Sequence, residues 1–437
     1  MLTPVLILAF FLVIVALMVT KKLPVLLALP ILAIGVALTA GVPLVLVKDE
    51  RQIGLLAHVI GDGSTRLAAA YASVMLAAWL GQFMNHTGIS KTIVKTAAEL
   101  GGDRPFLVTV LITAAIALLF TTIGGLGAVI MVATIALPIL ISVGVPSLTA
   151  ACIFLFGMAT GLMLNMANWA FYATATGVEK SDVQSFAFIL VGLTALSALI
   201  FAIVEFKKTG LKFSWAAQTN LGTSAQTEVQ KPPVLSLLTP IIPIVLVVLL
   251  KWPIIPSFLA GILWCFLSVL VFSPKRNAGN LVSVLTKSAF EGVSDAAPAV
   301  LLMIGIGMVL NSLMHPIVAE SITPLLRAVV PTSPIHYVIF FSILAPLALY
   351  RGPLNLWGLG SGIAAVVIGL GILPAPAVFS AFISAERVQA IGDPTNTHNV
   401  WLANYTGSDV NQILKKVIVY IWVLAVCGII ISSIMWF

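Results

Sequence analysis

Charged residues are scarce in this sequence. Asp, Glu, Lys and Arg make up 8% of its 437 residues, whereas hydrophobic residues make up 60% and the mean hydropathy is +1.14. Soluble globular domains carry about 25% charged residues. The composition therefore excludes a water-soluble fold and predicts a protein whose solvent is the lipid bilayer. A spanning helix needs roughly 20 apolar residues, and the chain has room for roughly ten or more such helices.

Cysteine and the short motifs of metal sites and hydrolases are also rare or absent. The three cysteines, Cys152, Cys265 and Cys427, all lie in apolar segments, where a cysteine is usually a small core residue. The sequence has no C-x-x-C, H-E-x-x-H, G-x-S-x-G or P-loop pattern. We therefore predict no enzyme activity, no cofactor and no resident metal. The net charge of +7 lies between the apolar segments, which indicates membrane topology rather than nucleic-acid binding.

Two pairs of apolar runs are too closely spaced to be ordinary spans. Within residues 105–143 the runs are joined by FTTIGGLG, and within residues 335–372 they are joined by YRGPLN. These connections are too short for an external loop with helix caps, so we predict two re-entrant hairpins. Irregular backbone at membrane depth is tolerated only where it is buried or lines a cavity.

The basic residues between the runs predict the orientation of the chain. We count each hairpin as no crossing and each half of the chain as five crossings. Fourteen Lys and Arg residues then lie on one side and six on the other. The positive-inside rule makes the richer side cytoplasmic. We expect a multi-pass protein of the bacterial inner membrane with both termini outside.

An odd number of crossings in each half makes the two halves inverted relative to each other. We predict one repeat over 1–206, a second over 234–437, and a polar cytoplasmic linker over 207–233. The stretches NMANWAFYATATG, from Asn165, and NTHNVWLANYTG, from Asn396, both read N-x-x-N and end in Thr-Gly.

These two stretches occupy matching places in the predicted repeats. We therefore expect a broken helix in each half, over 147–177 and 374–407. Inverted repeats with broken helices and a midplane site are the architecture of secondary transporters. The fold class predicted is an all-α polytopic membrane protein built from two inverted repeats of five spans, each with a re-entrant hairpin and a broken helix.

Arg351 is the most informative single residue. It interrupts an apolar stretch, where a charge costs several kcal/mol or more and usually marks a pathway or a binding site. Its planar guanidinium can grip a carboxylate in two places, and half-helix N-termini at the hairpin tips also attract anions. The predicted substrate-binding residues are Thr121, Thr122, Gly124, Gly125, Asn165, Asn168, Arg351, Gly352, Asn355, Asn396 and Thr397.

Other roles for these residues stay open. Arg351 could pair with a buried acid such as Glu386 and serve structure only, and Asn165 and Asn396 could simply cap helix ends. Arg387 is a second arginine in an apolar stretch. We expect it to face away from Glu386, because adjacent helical residues do not share a side, or to extend to the membrane interface. We therefore rank it below Arg351.

The coupling ion is either H⁺ or Na⁺. Glu386 and Asp393 are candidate proton carriers because protonation would remove the cost of burying their charge; Asp393 alternatively only begins a turn. His398 is a third candidate, because the side chain of a histidine ordinarily titrates near neutral pH; a hydrogen-bonded loop histidine is the alternative. Sodium would instead need carbonyl and side-chain oxygens near Asn165 and Asn396.

The chain resembles the ion transporter superfamily of secondary carriers, and most closely the gluconate permease and citrate–metal:proton symporter families. The resemblance covers nearly the whole chain and depends on the layout and on MLAAWLGQFMNHTGISKTI and HVIGDGSTRLAAAY. It implies a scaffold domain and a transport domain, an elevator motion, a homodimer and a substrate held between the hairpin tips. The residues that it places in the site are Thr121, Thr122, Gly124, Gly125, Asn165, Arg351, Gly352, Asn355 and Asn396.

The sequence departs from these families in two places. It lacks the Ser-Asn-Thr signature of the dicarboxylate branch at the hairpin tips, and NMANWAFYATATG replaces the His-Pro-rich segment of gluconate permeases. We predict a carrier that moves a small organic anion, a carboxylate such as citrate or gluconate, coupled to H⁺ or Na⁺. The alternative is a cation/proton antiporter on the same scaffold, which would favour an acid over an arginine at the centre of the site.

Overall fold

The structure is a computed structural model of one chain and is almost entirely helical. The residues that it describes are 2–20, 22–48, 51–210, 232–273, 278–369 and 371–437. Within them, two short strands, β1 (Val47–Lys48) and β2 (Arg51–Gln52), pair antiparallel. The predicted linker over 207–233 lies mostly outside the described residues.

The first half of the described chain forms ten α-helices and one π-helical segment, Leu55–Asp62, which precedes α3. The helices are α1 (Leu2–Val19), α2 (Val25–Thr39), α3 (Gly63–Thr65), α4 (Ala68–His86), α5 (Ile89–Gly101), α6 (Pro105–Phe120), α7 (Gly125–Ser142), α8 (Ser147–Leu162), α9 (Met166–Thr176) and α10 (Lys180–Thr209).

The second half of the described chain forms nine α-helices and two 3₁₀-helical segments, Val234–Leu238 and Ala345–Arg351. The helices are α11 (Ile242–Val248), α12 (Ile254–Phe272), α13 (Ala278–Met314), α14 (Pro316–Val329), α15 (Pro334–Leu344), α16 (Gly360–Gly369), α17 (Ala375–Gly392), α18 (Thr397–Tyr405) and α19 (Val410–Trp436).

Helix length and composition fit a polytopic membrane protein. Seven helical stretches of the described chain are long and apolar enough to cross a bilayer, and the bent pair α8–α9 makes an eighth. Helices suit this role because every backbone group inside lipid needs an internal hydrogen bond. The all-helical membrane fold is therefore confirmed. The exact number of crossings in each half stays a prediction.

The helices break where the sequence predicts. Residues 121–124 separate α6 from α7, and α8 meets α9 at a bend of 63°. The chain is non-helical between Gly352 and Leu359, and again between α17 and α18. These breaks agree with the hairpin and broken-helix boundaries, because Gly, Pro and Asn end helices within otherwise uninterrupted apolar sequence. That the hairpins re-enter the membrane stays a prediction.

The order of elements from α4 to α10 recurs from α13 to α19. In each series a long helix is followed by a shorter helix, a pair of helices with a break, a broken helix and a final long helix. The packing is also reciprocal, because α7 packs against α18 and α16 packs against α9. An internal repeat would produce this pattern, and the inverted orientation of the halves stays a prediction.

Helices α4 and α13 form the closest-packed centre of the molecule. They run antiparallel, and a Cβ added at Gly292 would lie 2.5 Å from Trp79 N. Trp79 Nε1 donates a hydrogen bond to Leu285 O at 3.1 Å. Small residues allow such close approach, which matters in lipid because packing drives helix association there. This helix pair is therefore packed closely along its length, and α7 packs against both helices.

Candidate functional site

We call residues 345–359, between α15 and α16, the second tip; its backbone is unusual at Tyr350 and Arg351. These adjacent residues have φ angles of 57° and 55°, in the left-handed region. Side chains other than glycine adopt that region at a cost of about 1–2 kcal/mol per residue. Strain of this kind persists only where the surroundings enforce it, and it clusters at functional sites.

Asp393 holds the second tip against the break between α17 and α18. Its Oδ2 accepts a hydrogen bond from Arg351 N at 3.3 Å. Its Oδ1 accepts from both Thr395 N and Thr395 Oγ1 at 2.7 Å. Asp393 thus does begin a turn, as one interpretation of the sequence proposed, and the same carboxylate also fixes the backbone that carries the guanidinium.

The Arg351 side chain is held over the second tip itself. Its Nη1 donates to Trp357 O at 3.2 Å, while Asn355 Oδ1 accepts from Trp357 N at 2.9 Å. Asn355 is fully buried, and its Nδ2 has no hydrogen-bond partner within the described chain. His398 lies in the first turn of α18, just after the break that Asp393 joins to the second tip, and its Nε2 is likewise buried and unpaired.

Unpaired polar atoms of this kind are expensive in a protein interior, at about 1–3 kcal/mol each. That two of them lie at the breaks joined by Asp393 and Arg351 is a reason to expect a ligand there. Arg351, Asn355 and His398 therefore form a candidate anion site, in which Asp393 positions the backbone. Gly352 is buried in the same tip.

The expected alternative partner of Arg351 is engaged elsewhere. Glu386 Oε1 accepts hydrogen bonds from Tyr172 Oη at 2.8 Å and from Arg387 Nη2 at 3.1 Å. Its other oxygen, Oε2, is buried without a partner in the described chain. The interpretation that Arg351 pairs with Glu386 is therefore wrong. Glu386 instead contacts Tyr172 and Arg387, and the sequence analysis did not predict either contact.

The prediction for the orientation of Arg387 is also wrong. Only 1% of the residue is exposed, and its Nη1 donates to Ala159 O on α8 at 3.2 Å. The long side chain curves back to the neighbouring Glu386, to which its Nη2 donates at 3.1 Å. Helix α8 covers this face, so the guanidinium has no route to the membrane interface.

We call residues 121–124, between α6 and α7, the first tip; it presents backbone rather than hydroxyl groups. The buried Thr121 and Thr122 donate their hydroxyls to Leu118 O at 2.6 Å and Leu119 O at 3.1 Å, one turn back along the chain. Gly124 faces open space, since a Cβ added there would meet nothing within 4 Å. Gly124 is therefore the accessible part of the first tip.

Asn165 both caps α9 and supports the first tip. Its Oδ1 accepts from Ala167 N at 3.0 Å, and its Nδ2 donates to Phe120 O at 3.2 Å and Ile123 O at 3.1 Å. Both amide hydrogens are used, so the residue positions the tip rather than presenting a free donor. Asn168 is half-buried and bonds Leu162 O at 3.0 Å.

Asn396 has a different role from Asn165. Its side chain makes no capping bond to α18. Its Oδ1 instead accepts from Gln389 Nε2 at 2.6 Å, and its Nδ2 donates to Gln389 O at 2.9 Å. The capping interpretation is thus confirmed for Asn165 and wrong for Asn396. The neighbouring Thr397 is exposed.

Contacts between the two halves bring the broken elements together. Phe171 of α9 stacks on Trp357 of the second tip, with ring centroids 4.1 Å apart. Tyr172 reaches Glu386 of α17 from the same helix. Helix α9 is therefore joined to the second tip by a stacked ring pair and, through Asn165 at its start, to the first tip by hydrogen bonds.

Substituting Asn165 tests this support. Asn165→Asp keeps the oxygen that caps α9 but loses both donors and directs a carboxylate at two carbonyls. We expect a loss of roughly 2–3 kcal/mol, because each hydrogen bond contributes about 0.5–1.5 kcal/mol and the carbonyls stay buried. Thermal unfolding in detergent measures the loss, with Asn168→Ala as the control that removes one bond. An Asn165→Asp protein as stable as the wild type would contradict the assignment.

The fold is that of a polytopic helical membrane protein, and comparison with known families identifies it as a carrier of organic anions. The chain belongs to the family described as the C4-dicarboxylate anaerobic carrier, DcuC, whose model matches residues 2–349. The predicted class of secondary carrier is thereby confirmed, but the matching family is neither of the two that the sequence resembled. The matched range ends just before Arg351, so the rest of the second tip is known from the structure alone.

Comparison with solved structures supports the fold. Sixteen chains match, among them the YdaH transporter of Alcanivorax borkumensis, described as having an unusual topology. It is 13% identical, the TM-score is 0.61, and the match covers 99% of this chain and 98% of that chain. The likeness shows a shared fold, and the matched family and the matched structure are both described as transport proteins. No curated protein sequence matches.

Proposed function

We propose that this protein is a secondary carrier that moves a C4-dicarboxylate across the bacterial inner membrane, coupled to H⁺ or Na⁺. The family description supplies the substrate class. A dicarboxylate is a small organic anion, the kind of substrate that the sequence predicts from Arg351.

The observation that carries the proposal is the state of the Arg351 guanidinium. Among the described residues it makes one side-chain hydrogen bond, from Nη1 to Trp357 O, so other N–H groups stay available for a ligand. A planar guanidinium binds a carboxylate through two parallel hydrogen bonds. The unpaired Nδ2 of Asn355 adds a neutral donor on the same tip.

The two tips divide the work differently. The second tip supplies a charge at Arg351, whereas the first tip supplies open backbone at Gly124, immediately before α7. Positive ends of half-helices favour carboxylates. A substrate with two carboxylates suits a site with two anion-attracting elements, and a monocarboxylate would use only one of them.

Protons are the coupling ions that the side chains favour. Glu386 Oε2 and His398 Nε2 are unpaired polar atoms that can hold a proton. Asp393, a third titratable residue, lies between Glu386 and His398 in the sequence. The oxygens proposed for sodium, Asn165 Oδ1 and Asn396 Oδ1, already accept hydrogen bonds from Ala167 N and Gln389 Nε2.

The proposal also includes an elevator motion, a homodimer and chain termini that face outward.

Uptake into liposomes tests this function. The purified protein is reconstituted and offered labelled succinate and fumarate, with citrate, gluconate and an uncharged sugar as comparisons, under separate pH and sodium gradients. We expect accumulation of the C4-dicarboxylates driven by one of the two gradients. Uptake of the sugar without any organic acid would contradict the proposal, and uptake of citrate or gluconate alone would overturn the substrate class.

A further inference from the structure

A lone acid lies beside the first tip on the opposing helix. Asp295 belongs to α13, which runs from Ala278 to Met314. Its Oδ2 accepts a hydrogen bond from Gln82 Nε2 of α4 at 2.6 Å. An acid between two long apolar helices usually has a role in an ion or substrate pathway.

The Asp295 carboxylate rests directly on the first turn of α7. A Cβ added at Gly127 would lie 2.5 Å from Asp295 Cγ and 2.6 Å from Asp295 Oδ1. A Cβ added at Gly125 would lie 3.4 Å from Asp295 O. The absence of side chains at these glycines is what admits the carboxylate to the positive end of the helix.

A small pocket continues from this contact toward the open face of the first tip. Gly124 and Asp295 both line it, together with Gln82 and Gly81 of α4. The side of Gly124 that a Cβ would occupy is empty. The chain's own carboxylate therefore lies where a substrate carboxylate would meet the first tip.

Other charges near Asp295 are already paired. One turn earlier on α13, Glu291 forms ion pairs with His86 of α4 and with Lys287 of α13, the latter at 3.7 Å. Helix α7 carries no acidic, basic or histidine residue. Asp295 has no ion-pair partner in the described parts of the chain. Its partner is the neutral amide of Gln82, so no neighbouring charge in the described chain compensates its own.

We propose that Asp295 is a proton-coupling acid of this carrier, whose ionised carboxylate occupies the first tip and whose protonation admits a substrate carboxylate to it. This inference rests on the proposed function. Two ionised carboxylates at one site repel each other, so the protonated form binds the anion better. The proton enters with the anion on one side, and Asp295 loses it after the anion leaves on the other.

The step is balanced without any further reagent. Asp295 gains one proton to become a carboxylic acid, no covalent bond of the substrate changes, and the same proton is released at the end of the cycle. Gln82 can hold either form, since its amide offers both a donor and an acceptor.

Asp295→Asn and Asp295→Ser test the proposal in liposomes. Both variants lack the titrating group but keep a polar partner for Gln82. We expect both to retain exchange of labelled for unlabelled succinate across the membrane. We expect them to lose accumulation driven by a pH gradient, and we expect the KM for exchange to lose its pH dependence. Glu291→Gln, one turn away on α13, is the control and should keep pH-driven accumulation.

The outcomes separate the inference from the function. If the wild type moves no dicarboxylate, the proposed function is wrong. If the wild type does so and either folded variant still accumulates succinate on a pH gradient, Asp295 is not the coupling acid. Loss of exchange together with accumulation in a folded variant would make Asp295 a structural anchor and overturn the proposal. A wild-type KM that does not change with pH would overturn it as well.

Discussion

Dicarboxylate exchange should fall by about 30-fold to several thousand-fold when Arg351 is replaced by glutamine. Removing one partner of a buried, hydrogen-bonded charge pair costs about 2–5 kcal/mol, and each 1.4 kcal/mol is about tenfold. Here the lost partner is the Arg351 guanidinium, which we propose binds a substrate carboxylate. Arg351→Lys keeps the charge but loses the two parallel donors of the guanidinium. Its exchange rate should lie between those of Arg351→Gln and the wild type. The kcat/KM for exchange in liposomes measures both.

Arg327 provides the matched control, because it is an exposed arginine at the end of α14. Arg327→Gln should leave exchange within twofold of the wild type, at about 0.4 kcal/mol or less. If Arg351→Gln exchanged dicarboxylate at the wild-type rate, the assignment of the anion site to the second tip would be wrong. Charge reversal separates the alternative function: Arg351→Glu should abolish anion exchange, whereas a cation/proton antiporter would keep its activity or gain from the new acid.

The second large effect concerns the buried pair of Glu386 and Arg387. Arg387→Met leaves the Glu386 carboxylate in the interior with only Tyr172 as a partner. Breaking a buried ion pair from one side costs about 3–5 kcal/mol, whereas replacing both partners is often nearly neutral. The double variant Glu386→Gln/Arg387→Met keeps an acceptor for Tyr172. It should therefore recover most of the stability that the single variant loses.

Thermal unfolding in detergent at neutral pH measures the stability that the single and double variants lose. Arg104→Met is the control, since Arg104 is exposed at the start of α6 and its loss should change stability by about 0.5 kcal/mol or less. Equal losses in the single and double variants would show that the shape of the arginine side chain, rather than its charge, stabilises the contact between α17 and α8.

The positions of the breaks could be predicted because they are local properties. Thr121 and Gly124 in one apolar run, and Arg351 and Gly352 in another, interrupt sequence that would otherwise continue as helix. The polar residues at such breaks either face a ligand or need partners within the chain. A few consecutive residues are enough to identify such a break. In both predicted hairpin regions the helix ends where the sequence predicts a break.

Partners across helices could not be predicted in the same way. The bond from Tyr172 to Glu386 joins residues of opposite halves, and the Arg387 side chain is long enough to reach its sequence neighbour despite the helical rotation between them. Asn165 and Asn396 have similar surroundings in sequence but different partners, because the first lies against the carbonyls of a tip and the second against Gln389.

Asp295 was missed for a different reason. The apolar run in this region begins at 295, so the residue looked like the boundary of a span. The helix instead begins at Ala278 and continues to Met314, which places the acid well inside it. Hydropathy does not select Asp295 as it selects Arg351, because the turns of α13 before Asp295 carry Lys287 and Glu291 rather than an apolar run.

The hairpins and broken helices together, residues 105–177 and 334–407, contain four formally charged residues: Arg351, Glu386, Arg387 and Asp393. Two are positive and two negative. An elementary charge that crosses a membrane potential of 100 mV does electrical work of about 2.3 kcal/mol. Any rearrangement that carries these segments together through the field without cargo is therefore electrically silent. Current during transport reports the cargo alone, and a dicarboxylate accompanied by two protons would produce none.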